Sequence, residues 1–202
     1  ETLKAIYDAE PVRYAKERGV GPIQLATNGV LLSEEIGREI LNLGLDFLSF
    51  SLDTIHREIY EEIRSNGDYE KVYRNVLRFL ELRAEHSDPR TRVQVSAVET
   101  QRTQPFLPEL IDYWKVRVDR VRIYREHSIG GKFGKLDTFS IPGERKPYPK
   151  VLTDMVVYWN GDVALCNHDW DRSEFIGNVL KEGMTEVWQG AAYQEVRRRH
   201  WE

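Results

Sequence analysis

Hydrophobic positions along the first two-thirds of the chain alternate between helical and strand-like spacing. Over residues 3–18, Leu3, Ile6, Tyr7, Val12 and Ala15 keep a helical period that Pro11 interrupts, so a helix starts or breaks there. Gly19 and Gly21-Pro22 punctuate the chain before Ile23–Ala26, an apolar run of strand length. Ser33, followed by Glu34 and Glu35, marks a helix start; Ile36, Ile40 and Leu41 form its stripe and Gly44 its end. Leu45–Leu52 reads as a continuous apolar strand, as expected where both faces are covered. The pattern then repeats. Asp68 caps a helix whose stripe is Val72, Val76, Leu77 and Leu80; strand Arg92–Val98, helix Phe106–Trp114 and strand Arg120–Tyr124 follow. This βα alternation predicts an α/β fold with a mostly parallel sheet, either doubly wound or a closed or partial barrel. In all of these, ligands bind at the C-terminal ends of the strands.

The texture changes near residue 126. His127–Pro149 is rich in Gly, Pro and Lys without periodicity and reads as a long loop between domains. Beyond it, Asp154–Trp159 and Asp162–Cys166 flank Asn160-Gly161, a strong hairpin signal because both central residues of the favoured turn need positive φ. A helix over Met184–His200 closes the chain, with Val187, Trp188, Ala191 and Val196 on its buried face.

Composition narrows the class. At 202 residues and 41% hydrophobic, the chain can bury a real core. No apolar run approaches the about 20 residues that cross a bilayer, and the charged N-terminus lacks the core of a signal peptide. With 29 basic and 33 acidic side chains, the net charge of −4 carries no nucleic-acid footprint. The one basic run, Arg197-Arg198-Arg199, ends a helix, where cations favour the dipole. A single cysteine, with no disulfide partner, points to a cytoplasmic protein.

Candidate chemistry lies where strands run out. The first ends in Thr27-Asn28-Gly29, a turn on local grounds. The second ends in Ser51 and Asp53, a hydroxyl and a carboxylate on one face; they can bind a ribose diol or an amino group, or cap the following helix. Arg64, about three turns on, can fold back and hold a carboxylate, or stand on a solvated face. Arg122, Tyr124 and Arg125 can face a peptide, a sugar or a nucleotide-like substrate. If the hairpin strand continues, Cys166 and His168 share a face, with Asp169 and Asp171 nearby, and the set can hold a mononuclear zinc or iron. Trp188 packs on the hairpin as core or, in a binding module, meets a partner.

Taken together, TNGVLLSEE, the helix ending at Gly44 and LSFSLDTIHREIYEEIR resemble the middle of a radical S-adenosylmethionine enzyme, and PVRYAKERGVGPIQLATNG the stretch before it. At the C-terminus, VVYWNGDVALCNHDW and FIGNVLKEGMTEVWQG resemble the SPASM-type extension that binds an auxiliary iron–sulfur cluster. The resemblance implies a partial (β/α)6 TIM-like barrel over residues 1–126, a linker over 127–149 and a SPASM-like β-hairpin-plus-helix extension over 150–202. It implies S-adenosylmethionine, a [4Fe–4S] cluster and an auxiliary Fe–S cluster as cofactors. Thr27, Asn28 and Gly29 would line the cofactor pocket, Ser51 and Asp53 approach S-adenosylmethionine, Arg64 engage its methionyl carboxylate, and Cys166 ligate the auxiliary cluster. The reaction implied is hydrogen abstraction from a substrate C–H by a 5′-deoxyadenosyl radical. The auxiliary cluster would assist oxidation or bind substrate. The implied partners are a small-molecule or peptide substrate and an electron donor such as flavodoxin or ferredoxin.

The chain departs from that family at its defining element. It has no CxxxCxxC motif and a single Cys; the glycine-rich GGE stretch is absent, with Glu10-Pro11 as its remnant, and Lys146 stands near the position of a cluster cysteine. Either the cluster cysteines belong to a longer protein, or a cluster-free barrel binds something else. Retention of Ser51, Asp53 and Arg64 favours the first.

Overall fold

The computed structural model describes residues 10–65, 67–88, 90–126, 149–167, 169 and 174–201. Described residues up to 126 fall in one compact unit and those from 149 onward in another. The opening helix is α1 (Glu10–Glu17), with Pro11 in its first turn, where a missing N–H is tolerated. The expected helical stretch before residue 10 and the loop from 127 to 148 lie outside the described residues.

Four strands follow: β1 (Gln24–Thr27), β2 (Phe47–Ser51), β3 (Arg92–Glu99) and β4 (Arg120–Arg125), parallel and in chain order. Between them run α2 (Glu34–Asn42), α3 (Arg57–Ile63), α4 (Tyr69–Glu85) and α5 (Leu107–Trp114). Ser33 Oγ accepts the Ile36 N–H at 3.2 Å to start α2. At its end the N–H groups of Gly44 and Leu45 reach back to Leu41 O and Ile40 O, a Schellman closure. Asp68 caps α4 by accepting from Lys71 N.

The parallel architecture is as expected, but the described residues hold four strands of the six, with no closed barrel. A six-unit barrel needs two further strand–helix units, and no described strand precedes β1. The strand pattern also needs correction. Residues 45–52 are not uniformly apolar: Leu48, Phe50 and Leu52 are buried in the helix-facing core, while Ser49 and Ser51 take the opposite face. In β3, Val93, Val95 and Ala97 face the core and Gln94 and Ser96 alternate with them. In β4, Val121 and Ile123 pack on the core while Arg120, Arg122 and Tyr124 are exposed. One face of the sheet is therefore polar.

On the apolar face, Phe79 of α4 meets Phe50 edge to face at 5.8 Å between ring centroids. The α4 stripe is Val72, Tyr73, Val76, Phe79 and Leu82; Leu77 and Leu80 flank it, half-buried. At the N-terminal edge, two carboxylates tie strand starts together. Asp46 accepts the Ile23 N–H (2.8 Å) and Lys16 Nζ (2.7 Å), and Asp119 accepts the Val93 N–H (2.7 Å) and pairs with Arg83. Conserving strand register is the structural task of this edge in such folds.

In the second unit, α6 (Lys150–Thr153) leads into an antiparallel sheet of β5 (Val156–Val157), β6 (Asp162–Ala164) and β7 (Gly177–Asn178). The connection holds Trp159, Asn160 and Gly161, closed by Gly161 N–H to Tyr158 O at 2.9 Å. Asn160-Gly161 is thus not the central pair of a two-residue turn; Gly161 ends a three-residue loop at φ +84°. A Cβ on Gly161 would lie 2.6 Å from Leu180 Cγ, so glycine is required on two counts. Three helices follow: α7 (Val179–Glu182), α8 (Met184–Gln189) and α9 (Ala191–Trp201). Gly190 divides the expected single helix, which turns Ala191 to solvent and brings Tyr193 into the core. Val151, Val163, Ile176, Val187, Tyr193 and Val196 form that core, and Trp188 packs half-buried against it. The basic run is engaged locally: Arg197 donates to Val151 O and Trp188 O, while Arg198 pairs with Glu195 and Arg199 with Glu174. No described helix is long and apolar enough to cross a membrane.

Candidate cofactor site

Parallel strands place their C-terminal ends side by side, and the candidate residues lie there. Beyond β1, Gly29 N–H donates to Thr27 Oγ1 and Val30 N–H to Asn28 Oδ1, each at 3.1 Å, which folds Thr27-Asn28-Gly29 into a tight turn. Asn75 of α4 donates to Gly29 O at 2.9 Å. Gly29 has φ +77° and is buried beneath α4, with Val72 and Val76 3.4 Å from where a Cβ would stand. The local reading as a turn holds, and it leaves Asn28 exposed at the end of β1.

Ser51 ends β2 in register with Ser96 of β3. Asp53, two residues on, is almost wholly buried and has both oxygens occupied. Oδ1 accepts the Val98 N–H at 2.9 Å, and Oδ2 accepts from Arg64 Nη2 at 2.7 Å. Asp53 therefore does not cap the following helix, the alternative left open by its sequence position; α3 begins at His56 without a side-chain cap. Arg64 is not on a solvated face either. It sits at the C-cap of α3, and its side chain, 28% exposed, folds back to the strand end. Arg64 thus reaches the strand end and pairs with Asp53, two residues beyond Ser51.

Two donors beside that pair remain unmatched. Arg64 Nε and Tyr60 Oη are buried without a hydrogen-bond partner, and Tyr60 is 1% exposed. Burial raises the Tyr60 hydroxyl pKa above its ordinary value. The loop between β2 and α3 is held from below: Tyr73 Oη donates to Thr54 O at 2.5 Å and Tyr69 Oη to Ile55 O at 2.7 Å. Sequence reading named Arg64 but missed Tyr60, Tyr69 and Tyr73, whose helical spacing reads only as core.

Cys166 is half-buried beyond the end of β6, with its carbonyl accepting the Asp169 N–H at 3.1 Å. The strand stops at Ala164, before Cys166. His168 and Asp171, like Lys146, lie outside the described residues, and among the described residues no group of three or more His, Cys, Asp or Glu could hold a metal. The hub of this unit is Asn178. Its Nδ2 donates to Asn160 O (3.1 Å) and Asp162 Oδ1 (2.8 Å), and its Oδ1 accepts from Leu180 and Lys181 N–H groups. The Gly-Asp and Gly-Asn pairs of the sequence pattern are therefore two halves of one lock between hairpin and α7.

Comparison with known proteins bears on both units. Residues 4–88 match the radical SAM superfamily, and residues 150–202 match the SPASM iron–sulfur cluster-binding domain. A probable GTP 3',8-cyclase of Methanococcus maripaludis is 30% identical over 104 residues, 52% of this chain and 33% of that protein. A second probable GTP 3',8-cyclase, of Methanopyrus kandleri, is 35% identical over 95 residues, 46% of this chain and 29% of its own length. The chain thus spans about a third of these curated relatives. Among solved structures, Streptococcus suis SuiB bound to precursor peptide SuiA superposes with TM-score 0.70 at 15% identity, over 92% of this chain and 52% of SuiB. The anSMEcpe structure with bound AdoMet gives 0.62 at 15% identity, over 89% of this chain and 60% of its own. At such identities these likenesses establish fold.

Proposed function

The chain belongs to the radical SAM superfamily and carries a SPASM domain, and from that premise we propose that it is part of an enzyme that binds S-adenosylmethionine at the ends of β1 and β2. The supporting observation is the junction of Asp53 and Arg64 with an unmatched Arg64 Nε beside it. Family membership implies S-adenosylmethionine and iron–sulfur clusters as cofactors. The two fit this chain differently. A cluster of this kind needs several thiolates, whereas these 202 residues contain one cysteine, Cys166. The chain does not hold a cluster by itself, and in our proposal the other thiolates come from polypeptide beyond these residues, with Cys166 serving the auxiliary cluster.

S-adenosylmethionine fits the residues present. The chemistry it supplies in this family is a carbon-centred radical that takes hydrogen from a substrate C–H. The chain's own groups bind and orient it. Val98 N–H and Arg64 together fix the Asp53 carboxylate at the strand end. Arg64 presents its remaining donors to an incoming carboxylate, the bidentate role for which a guanidinium is suited. Ser51 and the Thr27–Gly29 turn line the adjoining rim. Similar proteins differ in substrate, GTP by name for the cyclases and a peptide bound to SuiB, so the polar face of this sheet, rather than membership, sets the substrate.

Calorimetric titration of the full chain with S-adenosylmethionine tests the assignment. Arg64→Lys keeps the charge and loses the fork, and binding should weaken at least tenfold, about 1.4 kcal/mol. Unchanged affinity in Arg64→Lys would remove Arg64 from the site.

A further inference from the structure

The polar face of the sheet carries a second group of side chains, apart from those proposed to bind the cofactor. Arg120 and Arg122 alternate on β4 with the core residues Val121 and Ile123, so both project from this face and both are exposed. Among the described residues neither has an acidic partner, although most arginines of this unit do. Arg122 lies 4.4 Å over the Tyr124 ring, which props the guanidinium along the strand. In register on β3 stand Gln94, opposite Arg120, and Ser96, opposite Arg122.

Gln94 is 2% exposed. Its Nε2 donates to Ser49 Oγ at 2.9 Å, which places the amide on the polar face, and its Oε1 has no partner. Reversing the amide would only exchange the orphaned end. A buried, half-satisfied amide beside two unpaired cations costs stability that a structural role does not recover.

We propose that Arg120 and Arg122 form the anchor for a phosphate chain on the substrate, with Gln94 and Ser96 receiving the group attached to it. This rests on the reading of the polar face as the substrate side of a radical SAM enzyme. Two residues along a strand separate the arginines by about 7 Å. One carboxylate is served by a single guanidinium, whereas a di- or triphosphate engages both. The opposing reading is that the arginines are charges that guard an edge strand against pairing.

The test is calorimetric titration of the full chain with inorganic triphosphate. We expect saturable binding that weakens at least tenfold in Arg122→Gln and in Arg120→Gln. Arg74→Gln, which removes an exposed cation from α4, should leave it unaltered. All three positions are exposed, so the variants should melt with the parent, and matched melting curves confirm that they are folded. Absence of saturable binding, equal weakening in Arg74→Gln, or indifference to both strand variants would each overturn the anchor. Titration of the same variants with S-adenosylmethionine is measured separately and should match the parent, so the cofactor reading and the anchor can fail independently.

Discussion

Asp53 organises its surroundings because neither of its oxygens is free. A carboxylate that accepts a backbone N–H and a guanidinium has its charge matched where it is nearly buried. Asp53→Asn retains an acceptor for the Val98 N–H and removes the charge that holds Arg64. The change should cost about 1.5–3 kcal/mol in urea unfolding, the range for a hydrogen bond to a charged group. Tyr60 makes the opposite prediction. Its hydroxyl is buried without a partner, so Tyr60→Phe should leave stability unchanged or raise it slightly. A loss above about 1 kcal/mol would show that the hydroxyl is satisfied. That Arg64 folds back over the strand ends was one of two readings its position allowed, beside a solvated face. That Arg64 is held by Asp53 was not, because the pair depends on how a seven-residue helix returns the chain.

Among the elements, the hairpin shows how a right signal produced a wrong detail. Asn160-Gly161 correctly marks a reversal between two short strands, but the closing bond runs from Tyr158 to Gly161, and the loop has three residues. The deciding contact is with Leu180, distant in sequence and invisible to a local rule. Gly161→Ala combines positive φ with that clash and should lower stability by about 1–3 kcal/mol, read from the denaturant midpoint. At the other end of the molecule, the strand-start carboxylates predict acid sensitivity. The Ile23 N–H and Lys16 hold the Asp46 pKa below its ordinary value. For Asp119 burial pulls upward, but the Val93 N–H and Arg83 outweigh it. Both folded values lie below the unfolded value of about 3.9. Their contribution is therefore fully present above about pH 5 and is lost as pH falls through the depressed values. Unfolding measured from pH 6 to pH 2 should show this loss, and the double variant Asp46→Asn, Asp119→Asn should flatten it.

For the whole molecule, alternating periodicity predicted the parallel α/β class, and motif order predicted the radical SAM superfamily matched over residues 4–88 and the SPASM domain matched over residues 150–202. The described residues hold four parallel strands of the six expected in the partial barrel. The polar face was misread as apolar, since Ser49 and Ser51 interrupt a run that Leu48, Phe50 and Leu52 dominate. In our proposal that face is the substrate side, beside the strand end that leads into Ser51 and Asp53. The lone cysteine, by contrast, was informative from the start: Cys166 alone cannot hold a cluster, and our proposal is that the other thiolates come from outside these residues. The most direct test of that claim is anaerobic reconstitution of the longest native polypeptide containing this sequence, followed by assay of S-adenosylmethionine cleavage under reducing conditions. The account predicts bound iron and sulfide and the release of 5′-deoxyadenosine. A native polypeptide that binds no cluster and releases no 5′-deoxyadenosine would contradict it.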